Sequence, residues 1–176
     1  MNLKEILLKK KSIILKKWLN SILETYPADT KRFLKTQDNR FTNPVGHIIS
    51  EETENLLSLL IELQDMDPER ISPILDKIIR IRAVQDFSPS QAIVFIYRLK
   101  RVIKTELEKE IRENNLLEDL LIFLEKIDDV ALISFDIYTR CRDNLYEIRV
   151  KQARNQVSGL LRRAGLISEV PECDPQ

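Results

Sequence analysis

One histidine, two isolated cysteines and no glycine-rich loop leave this 176-residue chain little with which to do covalent chemistry. His47 is the sole imidazole, which removes the Ser-His-Asp arrangement, most histidine acid–base schemes and the HExxH zinc helix together. Glu51 follows one helical turn later, a spacing that suits a metal pair or a pH-sensitive hydrogen bond, although an ordinary surface contact is the expectation. Cys141 and Cys173 have neither CxxC spacing nor a second histidine to complete a zinc set, so free thiols in a reducing cytoplasm are the simplest reading. Carboxylates such as Asp128 and Asp129 are adjacent, and adjacent helical residues point about 100° apart, so they form no acid–base pair. The phosphate-loop, dinucleotide-turn and nucleophile-elbow patterns are absent, as are the Glu-x-x-His pairs of carboxylate-bridged metal bundles. These residues predict neither an enzyme nor a cofactor.

Composition narrows the fold instead. With 43% hydrophobic residues the chain can fill one sizeable core, and three glycines are too few for the turns of an all-β protein. Lys plus Arg equals Asp plus Glu at 28 each, so no net field draws the chain to nucleic acid, and the late arginines lack interleaved aromatics. Lys9, Lys10, Lys11, Lys16 and Lys17 interrupt the apolar N-terminus, which excludes a signal-peptide core. They are expected on a solvated helix face rather than against a membrane, and no segment nears the roughly 20 apolar residues of a spanning helix. A cytoplasmic protein with protein partners is expected.

The elements follow from caps and periodicity. Leu7, Ile14, Trp18 and Ile22 recur at helical spacing until Pro27, and Asp29 is placed to cap a short piece carrying Phe33 and Leu34. Gln37, Asp38, Asn39 and Arg40 read as a loop. Asn43 and Pro44 start a helix whose buried stripe is Val45, Ile49, Leu56, Leu60 and Leu63. Asp67-Pro68 opens a further turn, and Ser72-Pro73 repeats the cap-plus-proline signal before a helix carrying Ile74, Ile78 and Ile81. Ser88, Pro89 and Gln91 form a capping box with proline at the first position, starting a helix that packs through Ala92, Ile96, Leu99, Ile103, Leu107 and Ile111. Asn114 and Asn115 break it, and Asn115 with Glu118 offers another box.

No proline then occurs before Pro171, so the last helix is expected to run through Gly159. Leu117, Leu120, Leu124, Ile127, Ala131, Ser134, Tyr138, Cys141, Leu145 and Ile148 alternate spacings of three and four along it. A second row, Leu116, Phe123, Val130 and Ile137, widens the face before Tyr138 only. The wide part suits a core; the narrow part, Tyr138, Cys141, Leu145 and Ile148, is the candidate seam of a homodimer. Acids early and bases late in this helix extend beyond the reach of a helix dipole, which leaves electrostatic matching to another chain open. The expected organisation is an all-α single-domain helical bundle over residues 1–150, with 151–176 holding the end of the long helix and a frayed tail after Ile167.

Two stretches carry a resemblance: Phe41-Thr42-Asn43-Pro44-Val45-Gly46, and Arg82-Ala83-Val84-Gln85-Asp86-Phe87-Ser88-Pro89-Ser90-Gln91-Ala92. With Trp18 and Tyr26-Pro27 they resemble the N-terminal domain family of the RsbT co-antagonist RsbRD, sensor modules related to stressosome proteins. The resemblance implies a globin-like fold without haem, and a sensory input joined by a helix to a STAS output domain that meets kinase and antagonist partners. The sequence at hand contains no STAS domain, a departure from that plan. A lone histidine just after a proline-glycine helix start is also poorly placed as a buried proximal haem ligand. The motifs read first as architecture, with Pro44 and Pro89 fixing helix starts, Gly46 permitting close approach and Phe87 stapling the chain before its cap. If a ligand site exists, the expectation is an anion near these two helix starts, with His47, Arg80, Arg82 and Gln85 as its polar residues. The expected function is a non-enzymatic regulatory input that dimerises and presents its long helix to a regulatory protein; a ligand-free adaptor subunit is the alternative, and a haem- or metal-binding helical protein comes behind both.

Overall fold

The computed structural model describes residues 1–36, 41–85 and 87–166; the expected loop at Gln37 to Arg40, Asp86, Cys173 and the tail after Ile167 lie outside them. Among the described residues there are six helices and no strand, and 86% of them are helical. The helices are α1 (Leu3–Leu23), α2 (Ala28–Thr36), α3 (Pro44–Glu62), α4 (Pro68–Val84), α5 (Pro89–Asn114) and α6 (Leu117–Arg163). The all-α architecture and the long last helix are as the composition and the proline spacing require.

Local chemistry sets the boundaries. Asn2 and Glu5 make a reciprocal capping box on α1, and Ser88 and Gln91 make the second on α5, with the Gln91 N–H donating to Ser88 Oγ at 3.3 Å and the Ser88 N–H to Gln91 Oε1 at 3.0 Å. Asp67 accepts from the Arg70 N–H to cap α4. α4 then continues through Ser72-Pro73 without a new start, so the second cap-plus-proline signal is interior to one helix. A mid-helix proline forfeits one backbone bond, but Ile71, Leu75, Ile78 and Ile79 are all buried and hold the helix on either side of it. Asp29 sits in the first turn of α2 rather than before it. Asn115 adopts a left-handed conformation, φ 54°, and ends α5 instead of starting α6.

The packing pairs α1 with α5 and with α3, α3 with α4, α4 with α5, and α2 with α3. Trp18 is the centre of the α1–α5 contact. Its indole N–H donates to the Phe95 carbonyl at 2.7 Å, and the two rings stack with centroids 6.3 Å apart. Ion pairs from Lys10 to Glu110 and Lys17 to Glu106 flank it. Lys10 holds the Glu110 carboxyl below the usual carboxylate range, chiefly through their hydrogen bond. On α6 both predicted rows are buried where they coincide, through Leu120, Phe123, Leu124, Ile127, Val130, Ala131, Ser134, Ile137 and Tyr138. Met1–Cys141 forms one compact unit and Arg142–Gln176 a second.

Candidate functional site

Asn43 and Gly46 show why the first motif reads as it does. Asn43, 2% exposed, accepts the Gly46 N–H at 2.9 Å and donates from Nδ2 to the Leu34 carbonyl at 3.1 Å, tying α3 to α2. A Cβ on Gly46 would stand 2.2 Å from Asn43 Nδ2, so only glycine fits beside that cap. One turn on, His47 is half-exposed and faces Glu51 at 3.6 Å, the surface contact expected of it.

The second motif builds a different environment. Ile71, Leu75, Ile78 and Ile79 define the buried stripe of α4, and the next position on it is Arg82, which is fully buried. Its guanidinium carbon lies 4.5 Å from the Phe87 ring centroid, 5.4 Å from that of Tyr26 and 5.5 Å from that of Phe95. Nη2 donates to Thr25 Oγ1 at 2.9 Å and to the Gln91 carbonyl at 3.0 Å. Among the described residues Nε, Nη1 and the Tyr26 hydroxyl make no well-directed hydrogen bond, and all three are sealed from solvent, the hydroxyl standing beside the guanidinium. Burial lowers the pKa of Arg82 and raises that of Tyr26, while the attraction and close polar contact between the two groups oppose both shifts. Among the described residues no carboxylate pairs with Arg82, so three aromatic faces and two neutral acceptors carry the compensation for a buried cation.

Phe87 links this cage to its neighbours. Its ring meets Tyr26 edge-on at 5.2 Å, its N–H closes the end of α4 on the Arg82 carbonyl, and its own carbonyl accepts from the Tyr138 hydroxyl at 2.5 Å. The staple is thus made with Tyr26 and Arg82. Nearby, Arg98 of α5 donates to the Ser21 carbonyl of α1.

Of the four expected anion-site residues, Arg82 alone enters this cage. Arg80 is exposed and makes a forked ion pair with Asp76 one turn back, Gln85 is the exposed C-cap of α4, and His47 is engaged with Glu51. The signal that would have singled out Arg82 is positional: it lies three and four residues beyond Ile79 and Ile78, on the core row. Of the expected seam, Tyr138 is only 4% exposed, with its hydroxyl on Phe87, and Cys141 is half-buried; Leu145 is half-buried and Ile148 is 53% exposed. Burial pushes the Cys141 thiol up.

Elsewhere a shallow cleft of about 200 Å3 is lined by Leu3, Leu7, Leu60, Ile122 and Phe123. Its two lysines are engaged with main chain, Lys4 with the Glu62 carbonyl and Lys126 with that of Leu63. No group of three metal-ligating side chains occurs among the described residues, and no helix among them is long and apolar enough to cross a membrane.

The family model of the RsbT co-antagonist protein rsbRD N-terminal domain matches residues 13–153. A protein of Archaeoglobus fulgidus described as uncharacterized is 25% identical over 139 residues, 77% of this chain and 79% of its own. No solved structure matches the chain.

Proposed function

The chain belongs to the RsbT co-antagonist RsbRD N-terminal domain family, and from that premise we propose that it is a non-enzymatic input module that works as a homodimer through the late part of α6. The family is one of stressosome-type signalling inputs that work in complexes, and it is a regulatory family rather than an enzyme family. What supports a contact through α6 is the surface of the helix past Cys141. Tyr146, Ile148, Val150, Val157 and Leu160 are each at least half exposed, and Tyr146 accepts a hydrogen bond from Arg142 one turn back. Tyr146, Val150, Val157 and Leu160 fall on one face of the helix and Ile148 on the other, beside Cys141 and Leu145, so late α6 exposes apolar side chains on two faces, as a helix that meets a partner does. The seam reading rests on Cys141, Leu145 and Ile148, with Tyr138 anchoring the helix to its own chain.

Charge supports a second copy as the occupant. Residues 142–166 carry six basic and two acidic side chains, and residues 117–141 carry six acidic and two basic. One half of α6 therefore complements the other half of a second copy. A cytoplasmic location fits the free thiol of Cys141 and the signalling family.

Native mass spectrometry of the purified chain tests the reading, and a dimer is the expected species; a monomer at micromolar concentration refutes it. The alternative, a ligand-free adaptor subunit, is favoured by one observation, the sealed packing around Arg82, and would give a dimer whose stability no small molecule changes.

A further inference from the structure

We propose that the Arg82 cage is the input site of this module and that it takes a small anion, a carboxylate or a phosphate group, on the unused guanidinium N–H groups and the Tyr26 hydroxyl. The inference rests on the input reading above and supplies its ligand class. Three observations converge. Arg82 is fully buried, with Nε and Nη1 lacking a well-directed acceptor among the described residues, and the hydroxyl beside it, on Tyr26 at 7% exposed, has no acceptor for its own proton. Among the described residues donors are thus in excess in the cage, because Thr25 Oγ1 and the Gln91 carbonyl satisfy only Nη2. Buried donors without acceptors cost free energy that an anion recovers, and a buried guanidinium gains most from a charged partner.

The same closure makes binding a conformational event. Nε, Nη1 and the Tyr26 hydroxyl have no solvent contact, so an anion enters only when one ring of the cage gives way. Phe87 is the half-buried member and Tyr26 and Phe95 the buried ones, so Phe87 is the ring that yields. Its carbonyl holds the Tyr138 hydroxyl of α6, and moving it loosens or re-aims that bond. Anion binding therefore favours a second packing of α6 in proportion to its preference for the open cage. α6 is also the helix on which the proposed dimer depends.

Trp18, the sole tryptophan, stacks on Phe95 and reports on the cage without any label. The intact chain is titrated with sodium phosphate and, separately, with sodium acetate at constant ionic strength, reading Trp18 fluorescence and melting temperature. A saturable response to either probe is expected; phosphate alone assigns a phosphate group, acetate alone a carboxylate, and both the shared chemistry. R82M should abolish the response, and circular dichroism will show whether that variant is folded. Y26F removes the hydroxyl beside the guanidinium while keeping the ring, and should weaken binding by about tenfold, as loss of one hydrogen bond does. No saturable response in the wild type overturns the proposal, as does an unchanged response in folded R82M; the aromatic cage alone would then account for the buried charge. Subunit count is read on the same samples: a dimer without anion binding sinks this site and leaves the input module standing, and binding by a monomer does the reverse.

Discussion

Replacing Gly46 by alanine reverses the usual benefit of that exchange. Alanine in a helix is favoured over glycine by about 1 kcal/mol, and at Gly159 on α6, where an added Cβ meets nothing within 4 Å, that gain should be realised. At Gly46 the added carbon stands 2.2 Å from Asn43 Nδ2 and 2.7 Å from Oδ1, so the Asn43 side chain must leave. Its departure removes the cap on the Gly46 N–H, about 1 kcal/mol and up to about 2. It also removes the bond to the Leu34 carbonyl, about 1 kcal/mol more, at a residue only 2% exposed. Set against the alanine gain, the net is a loss of about 1–2 kcal/mol. For a chain of this size that lowers the melting temperature by roughly 3–6 °C. Thermal and urea unfolding followed at 222 nm give both numbers, with G159A as the internal control of opposite sign. G46A as stable as the wild type would mean that the Asn43 cap does not hold α3 in solution.

Trp18→Ala should cost about 3–5 kcal/mol, since it empties a fully buried site and leaves its stacking partner Phe95 uncovered; a loss below about 1 kcal/mol in urea unfolding would contradict the packing of α1 on α5. Acid should weaken the same interface. The folded-state pKa of Glu110 is depressed by Lys10, so its contribution is complete above the ordinary value near 4.5 and is lost as pH falls through the folded value. Melting temperatures measured between pH 6 and pH 3 should accordingly fall further for the wild type than for K10M, and parallel curves would refute the coupling. The Cys141 thiol, raised by burial, should react with iodoacetamide at neutral pH more slowly than a free cysteine, as read by peptide mass mapping; an equal rate would show that this part of α6 is open.

What the sequence made legible is what local chemistry decides. Asn43-Pro44, Asp67-Pro68 and Ser88-Pro89-Gln91 each satisfy orphan backbone donors within one turn, so their residues announce helix starts wherever the rest of the chain goes. The length of α6 was legible for the converse reason, since nothing between Leu117 and Arg163 can stop a helix. Ser72-Pro73 misled because its residues carry the same local signal, and only burial of Ile71 and Leu75 on neighbouring elements overrides it. The site was legible in part. Arg82, Arg80, Gln85 and His47 are all polar residues near helix ends, and separating the buried one from the rest depends on rings from Tyr26, 56 residues earlier in the chain, and Phe95, 13 residues later. Neither the partner of Tyr138 nor the sealing of Nε and Nη1 has any local signature.

The central claim, that late α6 is an assembly surface separable from the fold, is tested most directly by sedimentation equilibrium of L145E/I148E beside the wild type. Both positions lie beyond Cys141, where Ile148 is half exposed, so charge there should leave the buried core of Met1–Cys141 untouched. The account predicts a wild-type dimer and a monomeric double variant with the same helical circular dichroism and melting behaviour. A double variant that remains dimeric, or that unfolds, would contradict it.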